Sequence, residues 1–200
     1  KTLNLNNGYV DPTLTREVLS YEVMRNYHPT PRTGYVRVHL NNTFWGVYVA
    51  VEQPNKDFLR EWFSDEDGDR YKGDPPTGAK LNSATLEYRG SSTSLYQGSY
   101  EIKTSTHPNA WTDLVNLCDK LNRGSRADIE KVLNVDRALW YLATSNVIHN
   151  MDSYAGGGHN YYMYFDPDDG RMNMTAWDCN MSFGVFRIGI SGSAYSLSPN

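Results

Sequence analysis

The chain has 200 residues, which is enough for one large domain or for two small lobes that share a cleft. A net charge of −4 at pH 7, without any basic stripe in the sequence, argues against duplex nucleic acid as a partner. No run of about 18 apolar residues is present, so the sequence predicts no membrane-spanning helix.

The first half of the chain is predicted to be rich in β-structure, with one helix near its start. Asp11 or Thr13 suits the N-cap of a helix that covers DPTLTREVLSYEVMRNYH, residues 11–28. Alternating apolar and polar residues on both sides of Asn41-Asn42 predict a β-hairpin. A short helix after Pro54 and a short strand at RYK follow. Two further strands are expected at LEYRG and YEIKT.

The second half is predicted to be rich in helices and to close with a hairpin. One helix covers AWTDLVNLCDKLNRG and stops at Gly124, and one or two more follow, of which residues 135–147 form the most apolar. A hairpin with its turn at residues 166–170 comes next. The fold class is therefore α+β.

Two isolated acids in the second half are the best candidates for catalysis. Asp178 follows a predicted strand, and Asn180 stands two residues further on. Asp152 lies in a loop just after the apolar helix, where a rigid scaffold can position it, and Asn160 opens the hairpin that leads to Asp178. Carboxylate and amide oxygens suit a hard cation that bridges to phosphate. The alternative for Asp178 is that it only initiates a turn.

Several other polar residues have both a functional and a structural interpretation. Lys72, which ends a short strand beside a glycine, is the best candidate for a lysine that contacts phosphate, although surface lysines are commoner. Glu52 is either an acid of a nucleotide site or an ordinary carboxylate at a strand end. His149 and His159 are interpreted as structural groups that satisfy hydrogen bonds. Cys118 and Cys179 either pair with each other or stay as free thiols.

The order of these residues is that of a protein kinase, in which a catalytic Asp, a metal-binding Asn and a second metal-binding Asp before Phe-Gly succeed one another. More specifically, the chain resembles the CotH family of atypical protein kinases from spore coats and secreted proteins. The stretches that carry the resemblance are DPTLTREVLSYEV, GYVRVHLNNTFWGVYVAVEQPNKDFL, RYK, NMDSYAGGGHNYYMYFDPDDG and WDCNMSFG.

This resemblance implies a two-lobed protein-kinase-like fold and the ATP-dependent phosphorylation of Ser or Thr in a protein substrate, with Mg²⁺ or Mn²⁺. It implies that Asp152 is the catalytic acid, that Asp178 binds metal, and that Asn160 and Asn180 assist with metal or phosphate. Glu52 and Lys72 are expected at the nucleotide. A secreted, cell-surface or spore-coat location is expected, and no oligomeric state is predicted.

The sequence also departs from the kinase pattern. No glycine-rich phosphate loop is visible, and the strand that should supply the phosphate-binding lysine is expected upstream of Lys1. Glu17 or Glu22 would pair with that lysine. We expect one CotH-like domain trimmed at both ends, with residues 1–105 resembling the small lobe with an insert and residues 106–200 resembling the large lobe. Two alternatives stay open: a surface-adhesion or coat-assembly module without catalysis, and a metal-dependent hydrolase that uses Asp152 and Asp178.

Overall fold

A computed structural model describes residues 3–74, 83–104 and 107–186 of the protein. These residues form an α+β fold with two antiparallel sheets, which confirms the predicted class. The strands are β1 (Leu3–Asn6), β2 (Thr33–Leu40), β3 (Thr43–Glu52), β4 (Arg70–Gly73), β5 (Glu101–Thr104), β6 (Tyr161–Asp166) and β7 (Arg171–Ala176). The helices are α1 (Arg16–Met24), α2 (Lys56–Trp62), α3 (Ala110–Arg123), α4 (Arg126–Val132), α5 (Val135–Val147) and α6 (Tyr154–Gly157).

The first sheet has the strand order β1-β3-β2 and contains the predicted hairpin. Asn41 and Asn42 form its turn with φ angles of 49° and 63°, a left-handed conformation that Asn tolerates better than most residues and that matches the strand twist. Val49 and Val51 on β3 are buried, and they belong to the same hydrophobic core as Tyr21 of α1.

Helix α1 begins later than the sequence predicts. The Asp11 carboxylate accepts hydrogen bonds from the backbone N–H groups of Thr13 (3.1 Å) and Arg16 (2.9 Å), so the residues between them form a turn. Leu14 has a φ of 57°, which is incompatible with a right-handed helix. The helix can start only after this turn, at Arg16.

The second sheet has the order β5-β4-β6-β7 and draws strands from both sides of residue 105. YEIKT supplies β5, but LEYRG forms no strand, so the prediction of that strand was wrong. The hydroxyl of Tyr100 accepts the backbone N–H of Leu86 (2.8 Å), and the hydroxyl of Tyr96 accepts that of Arg89 (2.9 Å). These buried side chains satisfy the backbone groups that a neighbouring strand would otherwise bind.

The helices α3, α4 and α5 agree with the sequence analysis, whereas the short helix α6 was not predicted. The segment after Gly124 divides into α4 and α5, and Ser125 begins α4 with a capping box to Asp128. The core joins α3 and α5 to the second sheet through Tyr71, Leu114 and Tyr141, all fully buried, and it also includes Val49 of the first sheet. Cys118 and Cys179 are buried free thiols. Among the helices in the described ranges, none has the length and apolarity needed to cross a membrane.

Candidate active site

The loop after α5 folds back sharply so that Asp152 meets residues that follow it in the chain. The Ser153 hydroxyl donates to the carbonyl of Asn150 (2.6 Å). Gly156 lies so close to the Met151 carbonyl that a Cβ on it would stand 2.1 Å from that oxygen, and Gly158 ends α6 in the left-handed region with a φ of 61°. The glycine run therefore serves the geometry of this loop.

We expect Gly156→Ala to destabilise the protein, because the added methyl group has no room beside the Met151 carbonyl. The free energy of unfolding should fall by about 1–3 kcal/mol, the usual cost of overpacking. Chemical denaturation would measure this. The control is Gly34→Ala, where nothing lies within 4 Å of the new Cβ. An equal effect at the two positions would contradict the tight loop.

Two successive residues hold Asp152 in place. His159 Nε2 lies 2.5 Å from Asp152 Oδ1, and Asn160 Nδ2 donates to the Asp152 backbone carbonyl at 3.1 Å. The hydrogen bond to Asp152 raises the pKa of His159, although burial of the ring opposes this shift. Asp152 itself is buried. The sequence analysis treated His159 as structural and so missed its contact with Asp152.

Asp178 leaves the end of β7 in a left-handed conformation, with φ 53° and ψ 58°, and begins the turn Cys179–Met181. Burial raises the pKa of Asp178, and the nearby charge of Asp152 raises it further. The charge of Lys72 acts in the opposite direction. The two predicted acids therefore lie within electrostatic reach of each other, and Lys72 lies near them.

Lys72 stands on β4 opposite Tyr162 of β6 and is mostly buried. Its ammonium group donates a hydrogen bond to Asp74, 2.5 Å away. Burial acts to lower the pKa of Lys72, but the hydrogen bond and charge of Asp74 outweigh it, so the pKa is raised. Lys72 therefore keeps its positive charge beside the acidic pair and is more enclosed than a typical surface lysine.

Glu17 on α1 is the acid that faces this region, whereas Glu22 is exposed. Glu17 Oε2 accepts a hydrogen bond from Asn6 Nδ2 (2.8 Å), and Oε1 is buried without a partner in the described part of the chain. Burial raises the pKa of Glu17 to about 7, and Asp178 contributes to the shift. Of the two candidates, Glu17 therefore has the inward position.

Within the described residues the strand that precedes α1 is β1, Leu3–Asn6, which contains no lysine, so a phosphate-binding lysine upstream of Lys1 stays a prediction. Strand β1 pairs with β3, and its residue in contact with Glu17 is Asn6.

The structure brings Glu52 and Asn180 into other contacts. Glu52 forms an ion pair with Arg32 at 3.0 Å at the end of β3. Asn180 donates its side-chain amide to the Tyr9 carbonyl at 3.2 Å. Neither has a hydrogen bond to Asp152 or Asp178 in the described residues, and their roles in binding nucleotide or metal stay predictions.

The side-chain oxygens of the site can be compared with the ligands that a divalent cation requires. No group of three or more His, Cys, Asp and Glu side chains arranged to hold a metal occurs in the described ranges. Asp152 and Asp178 supply carboxylate oxygens, and the Asn160 amide oxygen has no hydrogen bond to a described residue. Oxygen donors of this type fit Mg²⁺ or Mn²⁺ when phosphate or water completes the coordination. A cation would also relieve the repulsion that raises the pKa of Asp178.

Comparison with known proteins identifies the family of the chain. The family described as CotH kinase protein matches residues 1–197, and the chain belongs to that family. The inner spore coat protein H of Bacillus subtilis (strain 168) is 28% identical over 189 residues. The match covers 92% of this chain and 50% of the relative, so the chain spans about half of that protein's length.

Proposed function

We propose that this chain is a protein kinase domain of the CotH family that transfers the γ-phosphate of ATP to Ser or Thr of a protein, with Mg²⁺ or Mn²⁺, in a two-lobed kinase-like arrangement. The observation that carries the proposal is that Asp152 and Asp178 come from separate elements yet lie close enough to raise the pKa of Asp178. Membership of the CotH kinase family supports it.

Each residue has a distinct task in this proposal. Asp152 orients the acceptor hydroxyl and accepts its proton, as the buried carboxylate held by His159 can do. Asp178 and Asn160 offer oxygen ligands, and Lys72 offers a positive charge to a phosphate. A divalent cation bound there would neutralise the charge of the phosphate oxygens. The buried carboxylate of Glu17 lies within electrostatic reach of Asp178.

The test is transfer of radiolabelled phosphate from ATP to a mixed protein acceptor, with and without Mn²⁺, beside calorimetry of ATP binding. Metal-dependent binding and phosphorylated Ser or Thr, located by mass spectrometry, are expected. Cleavage of a phosphoester without ATP would favour the hydrolase instead. A folded protein without affinity for ATP would contradict the kinase.

A non-catalytic role in coat assembly or adhesion is the second candidate, and one surface favours it. Tyr27 after α1 stacks on Trp140 of α5 with ring centroids 4.7 Å apart, and both side chains are exposed. Leu139 and Val147 extend this apolar surface along α5, with 60% and 78% exposure. Contiguous exposed apolar surface often marks a binding site for another protein. The name of the Bacillus subtilis relative supports a location in a spore coat.

These two candidates differ in what the acids do. In the non-catalytic protein, Asp152→Ala and Asp178→Ala leave binding of a coat partner intact, and ATP has no measurable affinity. In the kinase, the same variants lose phosphate transfer.

A further inference from the structure

We infer that His159 is a positioning residue for the phosphate transfer proposed above, because it fixes one oxygen of the Asp152 carboxylate and leaves the other directed to the acceptor hydroxyl. This inference rests on the proposed function, and it assigns a task to a residue that the sequence analysis interpreted as structural.

The first argument is the contact between the two side chains. His159 Nε2 and Asp152 Oδ1 are 2.5 Å apart, and the two side chains are only 12% and 11% exposed. A short hydrogen bond between an imidazole and a carboxylate that are shielded from water is stronger than the same pair at the surface. No other hydrogen bond reaches the Asp152 carboxylate from the residues that the structure describes.

The second argument is how the chain builds this contact. Gly156 and Gly158 let the loop turn back within a few residues. The turn places His159 next to the side chain of Asp152 and Asn160 next to its backbone. His159 holds the side chain, while Asn160 holds the backbone carbonyl at 3.1 Å. Backbone and side chain of Asp152 are therefore fixed by two adjacent residues.

The third argument is electrostatic. The nearby charges of Asp152 and Asp178 repel each other. An unrestrained Asp152 side chain would turn away from Asp178, and its oxygen would leave the acceptor position. A misplacement of about 1 Å at a reacting group can cost about 100-fold in rate. The bond from His159 opposes that rotation.

The experiment compares His159→Ala and His159→Gln with the wild type, and His39→Ala, an exposed histidine on β2, is the control. We expect His159→Ala to lower kcat about 10- to 100-fold while KM for ATP with Mn²⁺ and the calorimetric Kd change little. His159→Gln should recover most of the rate, because its amide nitrogen can still donate to Asp152 Oδ1. His39→Ala should behave as wild type.

Crystal structures of the two variants give a readout that does not depend on activity. The Asp152 carboxylate should leave its wild-type orientation in His159→Ala and keep it in His159→Gln. An unmoved Asp152 in His159→Ala, or equal losses of kcat in the two variants, would overturn the inference. If wild type transfers no phosphate, the proposed function fails, and the crystal structures still decide whether His159 holds Asp152. If His159→Ala does not fold, His159→Gln alone decides. A His159→Gln protein in which Asp152 is displaced but kcat equals that of wild type would overturn the inference. A His159→Gln protein that keeps the orientation of the Asp152 carboxylate but has a reduced kcat would overturn it as well.

Discussion

Asp178→Asn is expected to reduce phosphate transfer by at least about 100-fold and to remove the dependence of ATP binding on Mn²⁺. The substitution keeps the size of the side chain but removes the negative charge next to Asp152. Charge neutralisation at the phosphate supplies most of the catalysis in phosphoryl transfer, and the loss of one preorganised electrostatic group costs about 100- to 1,000-fold. Initial rates and calorimetric titrations with Mn²⁺–ATP measure both effects.

The matched control is Asp136→Asn, which removes an exposed carboxylate from the first turn of α5. It should leave the rate and ATP affinity unchanged. Thermal unfolding of both variants identifies any loss that arises from folding rather than from the site. A folded Asp178→Asn protein with the wild-type rate would remove Asp178 from the proposed metal site and would contradict the kinase mechanism.

Local sequence patterns were sufficient to predict most of the helices and strands. Alternation around Asn41-Asn42 predicted the β2–β3 hairpin, because a two-residue Asn turn fits the strand twist. Helical periodicity likewise predicted α3 and α5. The predicted strand at LEYRG does not form because of contacts with residues further along the chain. The hydroxyl groups of Tyr96 and Tyr100 accept hydrogen bonds from its backbone, and local sequence patterns do not reveal such contacts.

The candidate site was predictable only in part. The order of Asp152, Asn160 and Asp178 indicated a shared site, and the structure brings the two acids within electrostatic reach. The choice between Glu17 and Glu22 required the structure, because α1 turns only one of them inward. The contact of His159 with Asp152 depends on the conformation of the glycine run between them. A local sequence pattern does not predict how close the two side chains come.

Glu17 is the basis of the second large effect, which concerns stability. Its pKa is raised from the ordinary 4.5 to about 7, chiefly by burial, so the folded protein binds this proton more tightly than the unfolded chain does. Between these two values the native state holds more protons, and the free energy of unfolding therefore falls as the pH rises. Above pH 7 the ionised Glu17 lowers the free energy of unfolding by its full amount, about 3 kcal/mol. Below pH 4.5 this effect disappears.

Glu17→Gln is therefore expected to raise the free energy of unfolding at pH 8 by up to about 3 kcal/mol, with a difference that vanishes near pH 4. The amide oxygen can still accept the hydrogen bond from Asn6, so the substitution removes the buried charge and keeps that contact. Urea denaturation from pH 4 to 8 measures the effect. Glu22→Gln, at an exposed position of the same helix, should change the free energy by less than about 0.5 kcal/mol. A Glu17→Gln protein that is less stable than wild type at pH 8 would contradict the destabilising effect of the buried charge.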